Sequence, residues 1–313
     1  MPAHFSANTD NRPYGWLLAG VGMLLVSTDA PFVRWADTDA RVMTGLVAAF
    51  SLPVYGLILW RRSRHSPDPS AHSAHALVRA LRRRAVPLAA VAIALALCQL
   101  SFVAAINHTQ IANVVAIVAA GPVLAALGAR IFLSEHTSRR VWIAIGVAVT
   151  GILLIVWPSL GQPRFRGDLL ALCAISCYIA ATLVFRKYPD MGRVLALTLA
   201  AVATLVLCAP KLINADIGQS VWLAAAGMGL LFNTLGRICM ASATRHAPSS
   251  DVALFFPVET VFATYWAWLF FSERPGTQTL IGAAVVIAGV LLGTVFNPEA
   301  RAAARAARIR RAP

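Results

Sequence analysis

Apolar residues gather into ten long runs separated by short polar stretches. Each run is about twenty residues long, the length at which a helix rising 1.5 Å per residue crosses the hydrocarbon core of a bilayer. The runs cover Trp16 to Val33, Val42 to Trp60, Val86 to Ile106, Ile111 to Leu133, Val141 to Trp157, Leu169 to Phe185, Val194 to Leu212, Val221 to Ala243, Val252 to Phe271 and Leu280 to Phe296. Trp16, Trp35, Trp60, Trp142, Trp157 and Trp222 fall near the ends of runs. An amphipathic indole prefers the headgroup layer, so their placement supports the same boundaries. The pattern predicts an all-α integral membrane protein with ten transmembrane helices.

Composition excludes the soluble alternative. The 313 residues are 58% apolar and only 13% charged, with a mean hydropathy of +0.70, whereas a soluble domain is about half apolar and a quarter charged. The charge is strongly basic: 27 Lys and Arg, of which only Lys187 and Lys211 are lysines, against 13 Asp and Glu, for a net +14. Such an excess suits nucleic acid or a membrane surface, and its position between apolar runs favours the membrane.

Short loops rich in Arg and Lys stay on the cytoplasmic side. Sorting the loops into two alternating sets gives 19 basic residues on the side that holds both termini and 6 on the other, with Arg130 and Arg237 inside runs. Both ends are therefore expected in the cytoplasm, in the inner membrane. The start, Met1 to Tyr14, lacks the features of a removable signal peptide, so the first run is expected to serve as both insertion signal and permanent helix. The Ala- and Arg-rich tail, Ala300 to Pro313, places Arg301, Arg305 and Arg308 along one helical face and is expected to rest on anionic headgroups. No nucleic-acid partner is expected, because these arginines adjoin a span and follow the topology rule.

All five cysteines, Cys98, Cys173, Cys177, Cys208 and Cys239, lie inside runs, which argues against a disulfide framework. Cys173 and Cys177 share a face but lack a third ligand type, and they read as packing residues. The loop from Arg61 to Ala85 holds His65, His72 and His75 and reads as a solvated connection. Neither a metal nor another cofactor is expected.

Shifting the chain against itself by 138 residues aligns Ala105–Leu154 with Ala243–Leu292 without a gap, with fourteen identities in fifty positions. These include His108 with His246, Ser134 with Ser272, Glu135 with Glu273 and Gly151 with Gly289. A second match, at another offset, relates Phe32-Val33-Arg34 to Val184-Phe185-Arg186. Each half then holds five spans, and an odd number per half turns the second copy upside down. The expected organisation is a cytoplasmic N-terminus (1–15), a first five-helix repeat (16–157), a connecting loop (158–168), a second repeat (169–296) and a basic tail (297–313). Inverted repeats are the architecture of transporters that expose one central site to either face in turn.

The chain resembles the EamA-type proteins of the drug/metabolite transporter superfamily, which carry ten spans in two five-span repeats. The resemblance rests on Phe132-Leu133-Ser134-Glu135 with Gly151-Ile152-Leu153-Leu154, and on Phe271-Ser272-Glu273-Arg274-Pro275 with Ile281-Gly282-Ala283-Ala284 and Gly289-Val290-Leu291-Leu292. Pro122 precedes the first Glu as the family pattern has it, while the second half has Thr260 at that place. Phe102-Val103-Ala104-Ala105-Ile106, leading into His108, is also similar. The resemblance implies a transporter fold, with export as the family tendency, and says little about the substrate.

Polar side chains inside spans are costly and mark candidate sites. They are Asp29, Gln99, Asn113, Asn233, Arg237 and Glu259. Arg237 and Glu259 lie at similar depth on consecutive antiparallel spans, so they are expected to pair, either beside the central cavity or as a permanent lock. Their repeat mates are Gln99 for Arg237 and Gly121 for Glu259, an asymmetry that favours function. Asp29 and Gln99 are expected to share a polar patch, with Asp29 able to attract an ammonium group or titrate. Asn233, near mid-membrane, reads as a recognition group. Of Trp266 and Trp268, one is expected to face lipid and the other to wall an apolar pocket. Glu135, Glu273, His108 and His246 occupy matched turns and read as structural, the glutamates by complementing helix starts. Arg130 is expected to snorkel.

Three functions compete. A secondary transporter of a small polar or amphiphilic solute, an amino acid, amine or nucleobase-like compound, fits the repeat, and the absence of a G-x-x-x-x-G-K-[ST] loop leaves an ion gradient as its energy source. A membrane acyltransferase would use His246 and Asp251, whose spacing suits a base and its orienting carboxylate. A sensor or structural protein would bind without flux. The sequence favours the transporter, an exporter or exchanger rather than an enzyme, with proton coupling and a homodimer both compatible with it.

Overall fold

The computed structural model describes residues 12–64, 84–133, 139–159, 162, 164–188, 191–246 and 255–294. These residues are overwhelmingly helical, with no strand among them. Thirteen α-helices follow one another: α1 (Arg12–Val26), α2 (Asp29–Ala36), α3 (Ala40–Arg64), α4 (Ala85–His108), α5 (Ile111–Val118), α6 (Gly121–Leu133), α7 (Arg139–Val156), α8 (Phe165–Lys187), α9 (Arg193–Leu212), α10 (Gln219–Ala226), α11 (Asn233–His246), α12 (Phe256–Phe271) and α13 (Thr277–Thr294). A π-helical turn, Gly227–Phe232, joins α10 to α11.

Helix occupies the described part of every apolar run. Among the described residues, seven segments are long and apolar enough to cross a membrane: Tyr14–Ala36, Ala40–Arg61, Ala85–His108, Ile111–Phe132, Phe165–Phe185, Arg193–Leu212 and Gln219–Ala243. Thr277–Gly289 is a shorter apolar helix. The outer surface is apolar, with Leu17, Val206, Leu223 and Phe270 exposed, as a lipid-facing surface requires. The six tryptophans near the run ends are exposed as well, between 45% and 69%. Indoles that face outward at helix ends suit the headgroup layer.

Three apolar runs are not continuous helices. The first breaks at Ser27 and Thr28, whose hydroxyls turn back to the carbonyls of Leu24 and Leu25, and α2 starts at Asp29. The fourth breaks at Ala119–Ala120 between α5 and α6. In the eighth, the π turn ends immediately before Asn233. Side-chain hydroxyls and π turns are recognised ways of interrupting the i→i−4 ladder, and two of these irregularities set down polar residues inside the membrane.

The helices pair in a definite scheme. The most extensive contacts join α7 with α13, α4 with α8, α3 with α9 and α1 with α11. Hydrocarbon gives helices no hydrophobic reason to associate, so close backbone approach at small residues does the work. Gly22 and Gly236 meet at the α1–α11 crossing, where a Cβ on either would lie 2.9–3.0 Å from the other's carbonyl oxygen. Gly151 and Gly282 meet likewise at the α7–α13 crossing, where a Cβ on either would lie 2.8 Å from the other's carbonyl.

Two glycines of α7 provide a controlled test. Gly151→Ala drives a methyl group into the backbone of α13 and is expected to cost about 1–3 kcal/mol. Gly146→Ala meets nothing within 4 Å and should be neutral or stabilise by about 0.5–1 kcal/mol through helix propensity. Thermal unfolding of the two purified variants measures the difference, and equal melting temperatures would contradict the crossing.

Candidate functional site

Helices α3, α4, α9 and α11 line a small, partly open hollow of about 30 Å³. Its polar lining is Thr44, Ser51 and Tyr55 from α3, Gln99 from α4, Thr204 from α9, and Asn233 and Arg237 from α11, set among Val47, Leu95, Leu197 and small residues. Thr44, Ser51 and Tyr55 stand seven and four residues apart, so a helix presents them on one face. Asn233 and Arg237 share a face of α11 by the same spacing.

Arg237 Nη2 donates a hydrogen bond to Gln99 Oε1, and Asn233 Nδ2 donates one to Asp29 Oδ2. Asp29 is buried at the first position of α2, where the free N–H groups and the dipole of a helix start favour a carboxylate. Its Oδ1 is buried with no hydrogen-bond partner among the described residues. Glu259, in the first turn of α12, is also buried. Asp29, Arg237 and Glu259 lie close enough for their charges to act on one another. Thr234 Oγ1 sits 2.8 Å from Ser51 Oγ and within reach of the Gly229 carbonyl, tying the π turn to α3.

A second polar network closes one end of the bundle. Arg34, near the end of α2, donates to the Thr109 carbonyl at 2.8 Å and forms an ion pair with Glu273 Oε1 at 3.4 Å. The other oxygen, Glu273 Oε2, accepts the Ile111 N–H at the start of α5 at 3.4 Å. Thr109 Oγ1 donates to Asp168 Oδ1 at 3.0 Å, and Asn107 Nδ2 donates to the Thr38 carbonyl. One cluster thus ties together residues near the end of α2, the α4–α5 and α12–α13 turns, and the start of α8. Burial lifts the Glu273 carboxyl above its usual range, and Arg34, the Ile111 amide and Arg164 offset that only in part.

A model of the EamA-like transporter family matches residues 13–157 and 165–295. The chain belongs to the EamA-like transporter family. A pseudopaline exporter of Pseudomonas aeruginosa strain UCBPP-PA14 is 26% identical over 212 residues, covering 66% of this chain and 75% of that protein. Its counterpart in Pseudomonas aeruginosa strain PAO1 is 28% identical over 216 residues, with the same coverage. A riboflavin transporter of Vibrio cholerae is 25% identical over 190 residues, covering 59% of this chain and 63% of its own. One solved crystal structure aligns with 92% of this chain and 98% of its own at a TM-score of 0.61 and 15% identity, a likeness of fold. The EamA membership, the transporter relatives and the apolar helices make this a multi-pass membrane protein of the drug/metabolite transporter superfamily and point away from an enzyme.

Within this EamA-family fold the candidate residues separate. Gln99, Asn233 and Arg237 line the hollow, and Asp29 stands directly behind Asn233. Arg237 and Glu259 form no ion pair among the described residues, because α12 packs chiefly on α5, α1 and α2, and Arg237 turns to Gln99 instead. Asp29 likewise meets Asn233 rather than Gln99. Trp266 faces inward, its Nε1 3.3 Å from Ser27 Oγ, but does not line the hollow, while Trp268 is exposed. Asn113 Oδ1 accepts a bond from Thr279, far from this site. Cys173 Sγ accepts a bond from Ser101.

Glu273 caps α5 rather than its own following helix, the same dipole logic applied to a different partner. Glu135, Asp251, the loop histidines and the basic tail lie outside the described residues, as does the side chain of His246. Thr44, Ser51, Tyr55 and Thr204 are lining residues that sequence reasoning passed over. Hydroxyls are common in membrane helices; only the i, i+7, i+11 spacing on α3 signalled a shared face.

The raised Glu273 pKa has a defined sign. Ionising this carboxyl costs the folded state more than the unfolded chain, so its contribution to stability is full below the ordinary value of about 4.5 and is lost as pH rises through the folded value. Glu273→Gln should therefore flatten the decline in melting temperature above that pH relative to the parent. Melting curves across a pH series check this, and parallel slopes would contradict it.

Proposed function

We propose that this protein is a secondary active transporter that moves a small polar or amphiphilic metabolite by alternating access. The moving parts are two inverted five-helix repeats, 16–157 and 169–296, giving ten crossings with both termini in the cytoplasm and the protein in the inner membrane. The observation that carries this reading is the hydrogen bond between Arg237 and Gln99, which are separated by 138 residues. That separation equals the repeat offset, so the two residues are mates. Mates touch only where the axis relating two copies passes between them.

The packing scheme supports the same reading. Exchanging the halves turns the α4–α8 pairing into the α11–α1 pairing and leaves α3–α9 and α7–α13 as they are. The hollow takes its walls from α3 and α4 of one half and α9 and α11 of the other, which is where an inverted-repeat transporter holds its solute. Asp29, Gln99, Asn233, Arg237 and Glu259 form the binding and coupling set in this reading. Trp266 supports them by bracing Ser27 at the break of the first run.

Export follows from the relatives named as pseudopaline exporters, and the riboflavin transporter is in keeping with a metabolite-sized cargo. The buried carboxylates Asp29 and Glu259 are the candidates for proton coupling. Either one, on binding a proton, changes the field at Arg237 and frees or fixes its side chain.

Flux into proteoliposomes, with candidates drawn from export-sensitivity tests in cells lacking and overproducing the protein, tests the proposal. Glu259→Gln should insert normally yet reduce flux by about tenfold or more, the effect expected when a group that must be charged in one state is removed. Arg237→Ala should do the same, and a protonophore should suppress transport by the parent. Normal flux in both variants would remove the site assignment, and flux indifferent to the protonophore would remove the coupling.

A further inference from the structure

The hollow carries more hydrogen-bond donors than its own acceptors consume. The hydroxyl protons of Ser51 and Thr204 go to the carbonyls of Val47 and Ala200 in their own helices, at 2.7 and 2.8 Å. The Asn233 amide donates to Asp29. Gln99 Oε1 is occupied by Arg237, and this amide cannot be turned round, because a guanidinium offers only donors and would then face the NH₂ group. The Tyr55 hydroxyl is hydrogen-bonded with Thr234, and three further sets of N–H or O–H groups remain. Gln99 Nε2 is buried with no partner among the described residues, although Gln99 as a whole is only 8% exposed. Thr44 Oγ1, in a residue of 0% exposure, is in the same position. Arg237 keeps its N–H groups beyond the one given to Gln99.

A buried donor without an acceptor is costly, about 1–3 kcal/mol, so a built arrangement of such donors implies an occupant that supplies acceptors. Among the described residues, Arg237 is the one formally charged group lining the hollow. Asp29 and Glu259 stand outside the lining and do not present a carboxylate to an occupant. A planar anion with two oxygens matches a guanidinium fork flanked by an amide NH₂. Between the polar groups the wall is apolar, with Val47, Leu95 and Leu197.

We propose that Arg237, Gln99 and Thr44 form a carboxylate-binding subsite, so that the solute carries a carboxylate joined to an apolar body. This rests on the hollow being the solute chamber.

Two measurements on the full-length protein separate failure of this proposal from failure of the chamber. In a variant whose five cysteines are replaced by alanine, Ala201→Cys places a thiol on the wall. The rates at which it reacts with anionic sulfonatoethyl and cationic trimethylammonioethyl methanethiosulfonates are then compared. The anionic reagent should react faster, relative to the two reagents' rates on a free thiol, by about fivefold or more, as a positive cleft concentrates anions. Adding Arg237→Gln should abolish that preference. Equal rates, or a preference for the cation, would overturn the carboxylate subsite while leaving an accessible chamber intact. No reaction with either reagent would overturn the chamber and the subsite together.

The second measurement is thermal stabilisation of the parent protein by phenylacetate against phenylacetamide, two probes of one shape that differ in the acid group. The acid should stabilise and the amide should not, and the Arg237→Gln and Gln99→Leu variants should lose the distinction. Stabilisation by both probes alike, or by neither, would count against the subsite.

Discussion

Hydrocarbon offers no hydrogen-bond partner, so each polar group carried into the membrane must find one within the protein. Most of this fold's particular features follow from that requirement. Helices satisfy their own backbones, and apolar side chains face outward at no cost. A guanidinium and two amides cannot be left to lipid, and they are gathered where four helices leave a hollow, with Asp29 bonded to one of the amides. The gathering is incomplete. Asp29 Oδ1, Gln99 Nε2 and Thr44 Oγ1 remain unpaired among the described residues, and a structural core would have little reason to keep them so.

The irregular helices serve the same end. A regular helix through Ser27 and Thr28 would carry Asp29 as one more mid-helix side chain. The break makes it the first residue of α2, where the helix start favours its charge. The π turn before Asn233 widens the helix there, and Thr234 fastens that turn to α3 through Ser51. Glycine crossings hold the frame tightly around these looser places.

At the closed end, the Arg34, Glu273, Thr109 and Asp168 network joins elements of both halves of the chain. Its Arg34–Glu273 ion pair is only partly buried, so water competes for it, while Thr109 and Asp168 beside it are buried. The Arg237–Gln99 contact is also partly buried and joins positions 138 residues apart, the offset of the sequence repeat.

The sequence alone marked the helical segments, the exposed tryptophans near the ends of the apolar runs, and Gln99, Asn233 and Arg237 as polar groups inside those runs. Apolar run length and the cost of burying a polar group are local properties, readable residue by residue. It also held the offset of 138 that gives the Arg237–Gln99 contact its meaning. It did not say which buried groups meet. Arg237 and Glu259 sit on consecutive runs and looked like partners, but α12 turns away to α5, α1 and α2, and the partners became Gln99 for Arg237 and Asn233 for Asp29. Nor did it reveal that Glu273 caps α5, or that Thr44, Ser51 and Tyr55 face one chamber. Pairing depends on which helix faces are pressed together, and that is set by glycine crossings between segments more than a hundred residues apart, so only the assembled tertiary structure decided it.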